Sequence, residues 1–296
     1  MTIRTLLCLG AGYSARAAAA RARETGWRVA GTSRSDDGLD RLARSGITPI
    51  QFNGSTASTA LSDAIATATH ILVSIAPDSD AASADCDPVI AALWPEIAGA
   101  SHLTWVGYLS TVGVYGNHDG AWVDETTVCR PVSKRSVARV AAEQMWLDRA
   151  AAQLQWRLHI YRLSGIYGPG RNPIARLKAG TARRLIKPGQ VFNRIHVDDI
   201  AQAVLAGLSG RGTHAVYNVT DNEPAPPQDV IAHAAELANV PVPPDQPFET
   251  ADLTPMARSF YGENKRVANA RMTEDLGITL AHPTYREGLA ATAADM

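Results

Sequence analysis

Residues 10–15, GAGYSA, have the spacing that lets a backbone approach a pyrophosphate. Gly10 and Gly12 permit a tight turn, and Ala15 keeps the following helix close to its strand. A helix opening at Tyr13 and Ser14 turns its first backbone N–H groups, with their partial positive charge, toward the phosphates. The stretch follows an apolar run (3–9) and precedes an alanine-rich one, the strand–turn–helix context that gives such a motif meaning. The end of the next apolar run, GTSRS (31–35), selects between dinucleotides. A site for NAD places a carboxylate there to accept from the ribose 2′-OH. Here Ser33 and Arg34 stand instead, and an arginine pairs with the 2′-phosphate that a carboxylate repels. The expected cofactor is therefore NADP(H) rather than NAD(H); the alternative is that Arg34 is a solvated loop charge.

A second basic group follows much later. Arg171, Arg176, Lys178, Arg183, Arg184 and Lys187 occur with no acidic residue among them. They suit either a phosphorylated or carboxylated ligand or a solvated basic face. Metal chemistry is not expected: the eight histidines are scattered, and Cys8, Cys86 and Cys129 share no ligand-like spacing. Those cysteines read as free thiols in a reducing cytoplasm. A net charge of -1 gives no general attraction to nucleic acid or membrane. No apolar run approaches the roughly 20 residues that span a bilayer.

Such groups must be positioned by elements. Short apolar runs at 3–9, 28–32, 48–52, 70–75, 102–108 and 157–163 read as strands of a parallel sheet covered on both faces. Between them, 14–24, 37–45, 58–67, 85–98 and 136–153 read as helices, with Pro88 suited to a helix start and Pro95 expected to kink or break the fourth. After residue 165 the chain becomes glycine- and proline-punctuated. A strand end and helix return at 195–208, another strand at 215–219, and VPVPPDQP (240–247) is a linker.

Five segments in order, GAGYSA, LSTVGVYG (109–116), RLSGIYGPG (162–170), RIHVDDIAQAV (194–204) and VYNVTDNEP (216–224), resemble the extended short-chain dehydrogenases/reductases, which include NAD-dependent epimerases and dehydratases. The resemblance implies an α/β fold: a Rossmann-type doubly wound parallel sheet with a smaller C-terminal substrate lobe. Residues 1–170, joined again by 193–222, form the dinucleotide-binding domain; 171–192 and 223–296 form the lobe. It places Ala76 and Pro77 beside the nicotinamide and Thr111 at the hydroxyl position of the catalytic set. It places Arg171 of the GPGR loop at the substrate, and implies a homodimer through the 136–152 helix. The family's YxxxK pair, however, is absent. Pro131 and Glu143 set a register in which Arg135 takes the tyrosine position and Arg139 the lysine position, as in atypical members with a degraded catalytic set.

An arginine does not serve as an acid or base near neutral pH. Arg135 and Arg139 read either as anchors for a substrate anion or as a charged helix face paired with acids. Tyr115 is the candidate for a replacement hydroxyl, with packing beneath its loop as the alternative. The function expected is an NADP-binding oxidoreductase or epimerase/dehydratase acting on a small anionic or sugar-type molecule. Two competitors stand beside it: an inactive NADP(H)-binding sensor or regulatory protein, and a lyase or isomerase without net redox.

Overall fold

A computed structural model describes residues 3–81, 86–153 and 155–294. Seven parallel strands form one sheet: β1 (Thr5–Leu9), β2 (Arg28–Ser33), β3 (Thr48–Gln51), β4 (His70–Val73), β5 (Trp105–Thr111), β6 (Arg157–Leu163) and β7 (Val216–Val219). Their spatial order is β3-β2-β1-β4-β5-β6-β7. The direction of winding reverses between β1 and β4, and in such sheets ligands bind in the crevice outside the strands' C-terminal ends.

Alternation along each strand divides the core. Leu6 and Cys8 face one side, against α1 (Tyr13–Glu24), α2 (Asp36–Arg44) and α7 (Val197–Leu208). Leu7 and Leu9 face the other, against α3 (Thr59–Thr67), α4 (Pro88–Gly99) and α5 (Lys134–Ala152). Ala15, Ala18, Ala19 and Ala22 are fully buried on α1, and their small side chains let it lie close to β1 and α7. The fold is thus the doubly wound α/β sheet expected. All three cysteines are free thiols; burial pushes the thiol of Cys8, inside β1, up to about 12.

Two expectations need correction. The strand expected at 102–108 runs from Trp105 to Thr111, because Leu103 packs as a loop residue and the apolar stretch continues past Tyr108. This shift puts Thr111 in the last strand position, aligned with Leu163 of β6. Pro95 does not break α4, which continues to Gly99. A proline removes one i to i−4 bond, and α4 is held at its start instead. Asp87 Oδ1 accepts from the N–H groups of Val89 (2.9 Å) and Ile90 (3.0 Å), while Trp146 Nε1 donates to Asp87 Oδ2 at 3.0 Å. The expected start of this helix at residue 85 lies outside the described residues.

The later segments cover the C-terminal edge of the sheet. Short parallel pairs join Gly165–Tyr167 to Arg194–His196, and Arg184–Ile186 to Asp245–Pro247. Helices α6 (Pro173–Lys178), α8 (Pro227–Leu237), α9 (Pro255–Phe260) and, after α10 (Ala270–Glu274), α11 (Tyr285–Ala294) accompany them. Tyr167, Ile174, Val230, Tyr285 and Leu289 make a separate apolar cluster there, and Leu185, Ala251 and Tyr261 another. A third pair, Arg266–Val267 against Trp122–Val123, brings the C-terminal segment beside the loop after β5. Among the described residues no helix is long and apolar enough to cross a membrane.

Candidate functional site

At the end of β1 the chain turns through Gly10, whose φ of +85° favours glycine, and a Cβ there would lie 2.6 Å from Ile75 Cγ1. The turn is fixed from β2: Gly10 N donates to Thr32 Oγ1 (2.7 Å) and Ala11 N to Thr32 O (2.9 Å). Gly12 is the N-cap of α1, and no side chain caps the helix. A Cβ on Gly12 meets no atom within 4 Å, so the space over the helix end is open. The N–H groups of Tyr13, Ser14 and Ala15 occupy the first turn, where a helix supplies no internal acceptor. An open, uncapped helix N-terminus over a glycine turn fits a pyrophosphate, so the residues present suit a dinucleotide.

Around this turn, Tyr13 OH donates to Pro169 O at 2.9 Å and the Arg171 guanidinium lies 5.9 Å over the Tyr13 ring. The GPGR loop therefore touches the glycine turn. Ser33 ends β2 with its hydroxyl bonded back to Ser35 of its own loop. Arg34 follows, exposed, and has no acidic partner among the described residues. Ala76 and Pro77, after β4, line a cavity of about 1320 Å³ that opens over the ends of β4, β5 and β6 and extends under the lobe.

Thr111 and Arg139 line that cavity from the sheet side, and Arg135, Arg171, Arg176 and Arg183 from the rim and lobe. Thr111 Oγ1 accepts from Gly113 N at 3.1 Å, capping a tight turn over Val112–Tyr115. Arg139 Nη1 donates to Tyr108 OH (2.9 Å) and to Leu109 O (3.0 Å), with its guanidinium over the Tyr108 ring, so this arginine is fastened to β5. Arg135 is exposed at the cavity, 5.7 Å over the Phe260 ring. Neither has an ion-pair partner among the described residues, and the two are engaged separately rather than as one clamp.

Tyr115 is a correction. Its ring is fully buried, its hydroxyl donates to Asn218 Oδ1 (2.7 Å) and accepts from Arg162 Nη1 (3.0 Å), and it does not line the cavity. Burial pushes that hydroxyl up to about 12. It belongs to a polar network under the site: Arg162 pairs with Glu143 (Nη2 to Oε2, 2.7 Å), and Glu143 also accepts from Ser110 Oγ. The basic stretch divides as well. Arg184 pairs with Asp245, Lys187 donates to Tyr261 O and Arg183 Nη1 donates to Asp252 O, so these three hold the later segments together, while Arg171 and Arg176, with Arg183, line the cavity.

Three lining residues escaped the sequence reading. Ser164 is buried and its hydroxyl has no hydrogen-bond partner in the structure. Lys265 and Glu263 pair at 2.6 Å inside the cavity wall. Ser164 stands just before GIYG; Lys265 lies in a tail with no local signal of a site. One group unexpected from the scattered histidines, His196, Asp198 and His282, brings its donor atoms within 4.8 Å of one another. There His196 Nδ1 accepts the N–H of Asp198 (3.2 Å) as the cap of α7, which occupies its lone pair.

The profile of the NAD dependent epimerase/dehydratase family matches residues 7–220. A 3-diazoavenalumate denitrifying reductase from Streptomyces is 30% identical over 167 residues, 52% of this chain and 52% of that relative, so the match spans about half of its length. The structure of a functionally unknown conserved protein from Silicibacter pomeroyi is 51% identical, covers 99% of both chains and superposes with a TM-score of 0.87. The human epimerase family protein SDR39U1, solved with NADPH, shares the fold at a TM-score of 0.73 and 16% identity, with 99% of this chain and 100% of that one covered. The chain belongs to the NAD-dependent epimerase/dehydratase family.

Proposed function

We propose that this member of the epimerase/dehydratase family binds NADP(H) and acts as an oxidoreductase or epimerase/dehydratase on a small anionic or sugar-type carbonyl compound. One observation carries the reading: a single cavity is lined by Ala76, Pro77 and Thr111 at the sheet's edge and by Arg135, Arg171 and Arg176 toward the lobe. Gly10, Gly12 and the first N–H groups of α1 hold the pyrophosphate, while Ser33 and the unpaired Arg34 receive the 2′-phosphate. The dinucleotide, when bound, supplies or accepts a hydride. Thr111 orients the substrate oxygen and Arg135 and Arg171 anchor its anionic group, whereas Arg139 stiffens the end of β5. Exposed Val132 and Val137 around the start of α5 support pairing of two copies through that helix. The three free thiols fit a cytoplasmic setting.

The test is loss of dihydronicotinamide absorbance when NADPH meets a panel of carboxylated, phosphorylated and sugar-linked carbonyl compounds. Turnover of any of them supports the reading, and silence across the whole panel together with no epimerised or dehydrated product by mass spectrometry and NMR sinks it. The replacement of YxxxK by Arg135 and Arg139 favours a second reading, an inactive NADP(H)-binding sensor. That reading predicts a partner protein captured only in the presence of NADPH, and fails if no capture depends on the dinucleotide.

A further inference from the structure

Catalysis at this cavity needs a group that gives up a proton, and arginine does not. The chain has four lysines, Lys134, Lys178, Lys187 and Lys265, among 28 basic residues. Of these only Lys265 lines the cavity. The other described lining groups able to change protonation are Glu263, Tyr167, Tyr261 and Tyr285, and burial raises all three tyrosine hydroxyls. Lys265 is 5% exposed. Its Nζ donates to Glu263 Oε2 (2.6 Å) and to Gly116 O (2.8 Å), which uses two of its three N–H bonds. Gly116 closes the turn that Thr111 opens: Gly113 N donates to Thr111 Oγ1 and Gly116 N to Gly113 O. One short turn, 111–116, thus carries the Thr111 hydroxyl at one end and the Lys265 ammonium at the other.

We infer that Lys265, held by Glu263, is the proton donor of this cavity. The inference rests on the proposed carbonyl chemistry. Were a dinucleotide bound here to supply a hydride to the carbonyl carbon, the π pair would move onto oxygen. Lys265 Nζ gives that oxygen a proton: one N–H bond breaks, one O–H bond forms, and an alcohol results. The neutral amine left beside Glu263 recovers its proton from water. Burial lowers the Lys265 ammonium from its ordinary value and the Glu263 carboxylate opposes that shift, so the group gives up a proton more readily than an exposed lysine.

The experiment has two arms on the full-length protein. Trace acetylation with acetic anhydride from about pH 6 to about pH 10, read by peptide mass spectrometry, follows all four lysines. Lys265 is expected to react, with a midpoint below that of exposed Lys134. A Lys265 that stays unlabelled while Lys134 is fully acetylated is sealed in the wall and overturns the proposal. In the second arm, with a carbonyl compound that the wild type turns over, Lys265→Arg keeps the positive charge and holds KM within about threefold, but kcat falls about 10²- to 10⁴-fold. Lys265→Ala regains rate with added ethylamine, and Lys134→Arg is unchanged. A Lys265→Arg variant near wild-type kcat, or a folded Lys265→Ala that ethylamine does not rescue, makes Lys265 structural and overturns the proposal alone. A wild type silent on every carbonyl, with no epimerised or dehydrated product either, overturns the proposed function and the proton transfer with it.

Discussion

Two helices begin at the same cleft, and they treat their ends differently. α1 starts at Gly12 with no side-chain cap and open space above it. α5 starts at Ser133, whose hydroxyl accepts the Ser136 N–H at 3.1 Å, and its first turn carries Lys134 and Arg135 but no acid. Cations at a helix N-terminus oppose its dipole, by about 0.3–1 kcal/mol each at the surface. The end of α1 therefore keeps unmet donors for a charge from outside. The end of α5 caps one of its own N–H groups through Ser133 and adds an exposed guanidinium, which lies over the Phe260 ring. The first leaves open space beside unmet donors, and the second presents a basic, capped end.

The contrast can be broken from its hidden side first. Glu143 is 3% exposed and carries both Arg162 and Ser110, so Glu143→Gln leaves the guanidinium short of its countercharge. The expected loss is about 3–5 kcal/mol in urea unfolding. A loss under about 1 kcal/mol would mean that the network beneath the cavity does not depend on this pair. A smaller effect separates the two arginines. Arg139→Ala removes the donor to Tyr108 OH and Leu109 O and should cost about 1–3 kcal/mol. Arg135→Ala, at an exposed position, should stay within about 0.5 kcal/mol. Equal costs for the two would erase the distinction between a fastened and a free guanidinium.

The sheet was legible because each strand declares itself locally, as a short apolar run followed by a turn and an amphipathic or alanine-rich helix. The glycine turn was legible for the same reason. The site beyond it was not, because its partners are distant in sequence. Tyr115 looks available until Asn218, 103 residues away, and Arg162, 47 away, take its hydroxyl. Lys265 reaches Gly116 across 149 residues. The packing of Arg266–Val267 on Trp122–Val123 and hydrogen bonds of its segment with Gln190, Asn193 and Asn117 bring it there, and two-residue strands leave no periodicity to detect. Pro95 shows the opposite case: a strong local signal that does not end the helix, since α4 continues to Gly99.

Under the proposed function, the open end of α1 receives a dinucleotide carrying a 2′-phosphate. Calorimetric titration of the wild type and of Gly12→Asp with NADPH and NADH tests it most directly. Gly12 has a φ of -76° and free space for a side chain, and aspartate is a favoured N-cap, so the variant should melt at or above the wild-type temperature. Its carboxylate would nonetheless stand where the pyrophosphate must lie. Wild-type affinity is expected to be at least about tenfold higher for NADPH than for NADH, a difference of about 1.4 kcal/mol, with a loss of about 100-fold or more in Gly12→Asp. A wild type that binds neither dinucleotide, or a Gly12→Asp that binds NADPH as the wild type does, would contradict it.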